Sequence, residues 1–460
     1  MSSHKPHANE EMEEDEENGV LLGIDEAAEE IEGDPDVAMN SGSEGDDVGA
    51  GMAQEIQLEN DSIAHFDLHT DSIFCIAQHP THPEIVATGG GDDVGYIFDA
   101  TPPPQQQQPV LPPSYQSSPQ PVERESVPSL YKITGHTDSL NALAFTLPRG
   151  EYLLSAGLDG RLRAHRDTSS SGAGRSWEFL AEAQEVEEIN WLKPCPHPDY
   201  ANTVALGAGD GSVWVYTVDA EDGASPLAIV QAFYLHTASC TAGAWSPDGK
   251  LLATVSEDAS LYVWDVFGEA AAAGVSGEGQ AVVGLTSADQ RFAVEGGLYS
   301  VAVAPSGAFV VAGGADGMAK VVGIPKLGSP TSSSATTGPT RGVGTAGKAS
   351  SGRRSATTQS TSGAGGQVGQ ILATLQAQTD NIETLSFSTP PLNLLAAGSV
   401  DGSIALYDTS HRFAVRRHIR DAHDGLAVVE VGFVRNLQTG GWLLTSAGMD
   451  GVVRRWDARG

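Results

Sequence analysis

ATVSEDASLYVW, residues 253–264, is an apolar strand that runs into small residues, turns at Asp258, and resumes as a second apolar strand ending in an aromatic. Turn chemistry flanked by short alternating runs is the pattern of a β-hairpin. The pattern is not solitary. ATGGGDDVGYIF surrounds Asp92, LSAGLDGRLRAH Asp159, ALGAGDGSVWVY Asp210, VAGGADGMAKVV Asp316, AAGSVDGSIALY Asp401 and TSAGMDGVVRRW Asp450. Where no long insertion intervenes, the turn aspartates recur at roughly 48 to 51 residues, near the length of a four-stranded unit that stacks on its neighbours. The expected fold class is therefore all-β, with seven countable repeats.

Upstream of four of the turns stands a histidine: His69, His136, His236 and His423. A buried histidine is tolerable when its ring nitrogens are satisfied. A chain from the His to the turn Asp, to a hydroxyl on the middle strand, and on to an aromatic N–H on the third strand would satisfy it. The fullest sets are His236, Thr254, Asp258 and Trp264, and His423, Ser446, Asp450 and Trp456; His69 with Asp92 and His136 with Asp159 are shorter versions. A His and an Asp beside a hydroxyl also imitate a hydrolase triad, but recurrence in successive repeats assigns each set to holding its own unit together.

The surrounding sequence narrows the function. With 60 Asp and Glu against 25 Lys and Arg the formal charge is −35, which excludes nucleic-acid binding through a basic field and favours a basic polypeptide partner. Residues 1–58 hold dense carboxylate runs, such as Glu10 to Glu17, and read as a disordered acidic tail ahead of a repeat domain at 59–460. Two stretches, 101–128 rich in Pro, Gln and Ser and 325–368 rich in Ser, Thr and Gly, read as flexible loops inserted between repeats. The three cysteines, Cys75, Cys195 and Cys240, are too scattered for a disulfide framework or a paired-ligand metal site. No apolar run of membrane length and no secretory leader is visible, so a cytoplasmic protein is expected, with the nucleus as a second location.

Two motifs tempt an enzymatic reading. Gly342 to Lys348 fits most of a phosphate-binding loop, but Ala349 replaces the metal-binding hydroxyl and no apolar strand precedes it. Cys195 and His197 lack a second ligand pair. Neither a catalytic residue, a metal nor a cofactor is expected, and the protein is read as one that binds rather than one that catalyses.

These repeats resemble the WD-repeat family, whose Gly-His and Trp-Asp pairs stand here as Gly135-His136, Trp264-Asp265 and Trp456-Asp457. Two repeats are degenerate, with His165 and Val322 at the aromatic position. The resemblance implies a WD40 β-propeller in which the start of each innermost strand and the residue before each turn Asp face the central channel on one surface. At the first position stand Phe74, Asn141, Glu187, Thr241, Tyr299, Glu383 and Val429; at the second, Glu257 in the fourth repeat. Asp71, Asp138, Glu295, Asp380 and Asp424 in neighbouring loops deepen the negative potential. Carboxylates accept bidentate Arg pairs and aromatics stack on guanidinium, so a short basic peptide suits this mouth.

A closer resemblance, carried by EIQLENDSIAHFDLHTDSIFCIAQHP at 55–80, GGGDDVGYIFD at 89–99, NIETLSF at 381–387, and SIALYD with VRRWDAR near the end, is to the angio-associated migratory cell protein family and its fungal relatives. It implies a dedicated, monomeric chaperone without contact to nucleic acid or membrane. Such a chaperone captures, during translation, the basic N-terminal segment of one large-subunit ribosomal protein, of the family called L-sixteen universally and L-ten in eukaryotes. Glu187, Glu257 and Glu383 are then the expected ligand carboxylates. Members of the family are similar to eight-bladed propellers, whereas seven repeats are countable here. Either residues 63–68 supply the outer strand that the last repeat lacks, or an eighth blade is missing. Two other binding roles compete: Trp456-Asp457-Ala458-Arg459 fits the WDxR pattern of cullin-RING substrate receptors, and the fold also serves general signalling scaffolds.

Overall fold

The first blade is laid down by four antiparallel strands in sequence order, Ile73–Gln78, Ile85–Gly90, Gly95–Asp99 and Ser129–Ile133. The computed structural model describes residues 65–101, 126–168, 175–275, 281–327, 367–435 and 440–458. The acidic tail, most of both insertions, Gly342 to Lys348 and Arg459 lie outside those residues. Within them the protein is all-β, its seven antiparallel sheets set as the blades of a propeller. Six blades repeat the four-stranded pattern, with inner strands Leu140–Phe145, Ile189–Pro194, Cys240–Trp245, Leu298–Val303 and Ile382–Phe387 in the second to sixth. The seventh has three described strands, Val428–Arg435, Trp442–Gly448 and Val453–Asp457.

The core is not central but lies in the seams between blades. Six apolar clusters fill the six seams from the first blade to the seventh, each built from the flat faces of two adjacent sheets. Between the fourth and fifth blades, for example, Leu251, Val263, Leu298, Val310 and Phe292 close-pack. Small residues let large ones in. Trp191 on the third inner strand lies where any Cβ at Gly207 or Gly243 would collide with its indole, so the glycines are required by close approach and not by dihedral freedom.

Among the described residues no cluster joins the seventh blade to the first. Val453 is 71% exposed, although its counterparts Leu162, Val213, Leu261 and Ile404 are buried in the seams, and Ile76 on the first inner strand is likewise 71% exposed. Full burial of such a side chain contributes about 1.5–3 kcal/mol, so each open face forgoes several kcal/mol of seam energy. The expected closure by residues 63–68 is not found among the described residues. Ile63 and Ala64 lie outside them, residues 65–68 form no strand, and Phe66 stacks at 4.1 Å on Phe98 of the first blade, where aromatic burial holds it.

A second expectation is corrected. The insertions do not fall between blades: 101–128 separates the third and fourth strands of the first blade, and 325–368 those of the fifth, Met318–Gly323 and Ile371–Gln376. Both therefore leave and rejoin the propeller at the end of the sheet opposite the turn aspartates.

Candidate ligand-binding mouth

Each blade fixes the end of its sheet that carries the turn Asp in the same way. The backbone N–H of the residue before the turn Asp donates to a carbonyl just ahead of the inner strand: Gly91 to Ser72, Leu158 to Ser139, Gly209 to Glu188, Glu257 to Ser239, Ala315 to Gly297, Val400 to Asn381 and Met449 to Ala427. The side-chain sets reinforce it. His69 lies 3.0 Å from Asp92 and 2.9 Å from Thr88, His136 3.2 Å from Asp159 and 2.9 Å from Ser155, and His423 2.9 Å from Asp450 and 2.8 Å from Ser446, which accepts from Trp456 Nε1 at 2.9 Å. In the fourth blade Thr254 Oγ1 joins His236 and Trp264, each at 2.8 Å, but the Asp258 carboxylate stands 3.9 Å from the ring and Ser260 Oγ, 2.6 Å away, takes its place. Asp258 is instead held by the Thr237 and Ser260 backbone N–H groups.

These sets are structural in their electrostatics too. Burial raises the Asp258 carboxyl, but bonds from its neighbours outweigh that and hold it far below the usual carboxylate range. Burial pushes the His136 imidazole down against the pull of Asp159, keeping it neutral. At the degenerate aromatic position His165 replaces the indole, its Nε2 3.4 Å from Ser155 Oγ, with burial driving its pKa down to about 3. The fifth blade abandons the polar chain, with Val294, Ala312 and Val322 packed as an apolar set.

Strand register decides which side chains reach the mouth. Every inner strand carries a one-residue bulge, which re-aims the extra side chain out of the ladder: Phe74, Asn141, Asn190, Thr241, Tyr299, Glu383 and Val429. Glu187 does not belong to this set. It sits three residues earlier, in the entry loop, at the place of Asp71, Asp138 and Asp380, and with Glu185, Glu188 and Asp210 it lines an open acidic depression on the third blade. The third repeat has Glu185 where a His would mark the register, which is why counting from the sequence slips. Five residues after the marker, as from His69 to Phe74 or His136 to Asn141, gives Asn190.

Three bulge residues are occupied in holding the ring. Asn141 Nδ2 donates to the Ile189 carbonyl at 2.6 Å, Asn190 Nδ2 to Cys240 at 3.0 Å and Thr241 Oγ1 to Leu298 at 2.7 Å, each a tie from one blade to the next. Asp424 is drawn aside by Arg454 of its own blade at 2.9 Å. What remains facing solvent is Phe74, Glu257, Glu383 and Val429, with Tyr299 half-buried among them. Tyr299 donates to the Gly296 carbonyl at 2.6 Å, and its phenol is raised by burial and by the fields of Glu257 and Glu383 on either side. Glu383 is raised by protein around it and by Asp380. Two carboxylates flanking one ring suit a cation held by charge and by the ring face. Asp71, Asp138 and Asp380 each accept the next residue's N–H at 2.7–2.8 Å, which fixes them on the rim, and Glu295 is exposed beside Gly296. Sequence reading missed Leu158 and Met449, the residues before two turn aspartates, although the rule that found Glu257 applies equally to them.

Elsewhere, Cys195 is a buried free thiol pushed up to about 11 by burial, and among the described residues no cluster of possible metal ligands occurs.

Comparison with known proteins places this geometry among relatives. The family model "WD domain, G-beta repeat" matches residues 60–99, 128–165, 228–265, 291–322 and 369–408. A crystal structure of Chaetomium thermophilum Sqt1 bound to the N-terminus of the ribosomal protein L10 is 51% identical, with a TM-score of 0.71 over 87% of this chain and 89% of that one. The ribosome assembly protein SQT1 of Saccharomyces cerevisiae is 32% identical over 246 residues, 52% of this chain but only 48% of that protein, so the match spans about half the yeast relative's length. The human angio-associated migratory cell protein is 25% identical over 411 residues, covering 89% of this chain and 73% of that one.

Proposed function

This chain belongs to the Sqt1 family of WD40-repeat proteins, and we propose that it is a ribosome-assembly chaperone whose acidic mouth holds the basic N-terminal segment of newly made ribosomal protein L10. One observation carries the reading: a relative 51% identical over nearly the whole propeller was crystallised with that segment bound. The mouth supplies the physical fit. Glu257, Tyr299 and Glu383 face a common space, the Asp71, Asp138, Asp380 and Glu187 loops surround it, and the whole chain carries −35. Long-range charge steers a basic segment in, while carboxylates engaged away from bulk water and aromatic packing slow its escape.

Binding without turnover is the role proposed, as a monomer in the cytoplasm where the client emerges from the ribosome. The test is to capture the tagged protein from cells during translation and identify the associated messenger and protein. Enrichment of L10 and its messenger RNA is expected. Enrichment of a cullin adaptor instead, lost on Arg459→Ala, would replace this reading with the ubiquitin-ligase one.

A further inference from the structure

Two positions per blade face the mouth, the bulge residue and the residue before the turn Asp, and their chemistry is divided around the propeller. On the third to sixth blades they are Asn190, Gly209, Thr241, Glu257, Tyr299, Ala315, Glu383 and Val400, where all the carboxylates lie. On the seventh, first and second blades they include Val429, Met449, Phe74 and Leu158, exposed by 54%, 71%, 57% and 37%.

Folding does not ask for these four. The same two positions hold Gly, Asn, Thr, Ala or Glu in other blades without loss of the bulge or of the backbone bond that fixes the turn. None of them belongs to any of the six filled inter-blade clusters, and Leu158 is exposed on a blade with filled seams on both sides. Large apolar side chains held in water at the edge of an acidic mouth mark a place where a ligand covers them.

We propose that the mouth has two chemically different sides, and that its ligand presents one or more large apolar or aromatic side chains next to its basic ones. The basic residues sit against Glu257 and Glu383; the apolar ones sit on Phe74, Leu158, Val429 and Met449. The inference rests on the mouth being the site for a basic segment and adds the selectivity: a uniformly basic peptide, attracted equally by charge, lacks the second half of the contact and binds poorly. Because the apolar half is insensitive to screening, part of the affinity survives high salt.

The test measures affinity of the purified full chain for a synthetic peptide of the L10 N-terminal segment and for an oligoarginine of equal charge, at low and high salt. The peptide is expected to bind at least about tenfold more tightly than oligoarginine, with the gap widening in salt. Phe74→Ser combined with Met449→Ser should weaken the peptide by about tenfold or more and oligoarginine far less. The reciprocal change, serine for the peptide's large apolar residues, should give the same loss without any effect on the protein's folding. Equal binding of both ligands, with no effect of either set of changes, overturns the two-sided mouth and leaves the acidic site standing. If neither ligand binds, the proposed function fails and this inference with it. If sedimentation shows a dimer that Phe74→Ser and Met449→Ser convert to a monomer, the apolar side serves contact between copies, which also overturns it.

Discussion

At the scale of single residues, Trp191 and Thr241 separate structure from function within a few ångströms of the mouth. Trp191 fills the space left by Gly207 and Gly243, so Gly243→Ala should cost about 1–3 kcal/mol by overpacking, read as a lower urea midpoint. Thr241 faces the mouth but gives its hydroxyl to Leu298 of the next blade. Thr241→Val should therefore lower stability by about 1 kcal/mol and leave peptide affinity unchanged; a large loss of affinity at unchanged stability would make it a ligand contact instead. The places of Glu257 and Glu383 were legible in the sequence because a turn Asp directly follows the one and the turn Asp401 fixes the repeat of the other. Glu187 was misplaced because its repeat has no His at the marker, and nothing in composition alone reveals a bulge. The ties made by Asn141, Asn190 and Thr241 were beyond sequence reading, since a polar residue looks the same whether it bonds a neighbour or a ligand.

At the scale of the blade, the hydroxyl between histidine and indole joins the two. Thr254→Val leaves the buried Trp264 indole N–H and the buried His236 ring nitrogen without their shared partner, and at about 1–3 kcal/mol each should lower stability by about 2–6 kcal/mol, measured by denaturant unfolding. The same sets make stability depend on pH. His136 and His165 are held below the ordinary imidazole value of about 6.5, so the unfolded chain takes up protons first and stability falls as pH drops below about 6.5. Asp258 is depressed, so its contribution is complete above the usual carboxylate range of about 4 and is lost only at lower pH, as its folded value is approached. Thermal melts between pH 8 and pH 4 should decline through the histidine range; a rise in melting temperature on acidification would contradict the neutral buried imidazoles. The repeated turn made the strands and these sets readable in advance. The insertions were assigned to the wrong connection because low-complexity sequence carries no strand pattern to say which strands flank it.

At the scale of the whole propeller, the six filled seams and the open faces on the first and seventh blades set a gradient of order. Leu261–Asp265 lies within a four-stranded sheet between two seams, whereas Val453–Asp457 is the last described strand of its sheet and faces the opening. Hydrogen exchange should be slowest at the first and fastest at the second; equal protection would mean that the open side is covered in solution. The seven-repeat count was visible in the sequence, but that no apolar cluster joins the last blade to the first among the described residues was not, because apolar residues at strand spacing do not say whether a neighbour exists to bury them.

The central claim is that carboxylates of the mouth, and not the protein's overall acidity, hold the basic segment. Calorimetric titration of the L10 N-terminal peptide into the wild type, into Glu257→Lys combined with Glu383→Lys, and into a chain with two tail glutamates changed to Lys tests it most directly. The two variants differ in where charge is changed and share the same net charge. The account predicts a loss of more than about tenfold for the mouth variant and little change for the tail variant. Equal losses in the two, or none in the mouth variant, would contradict it.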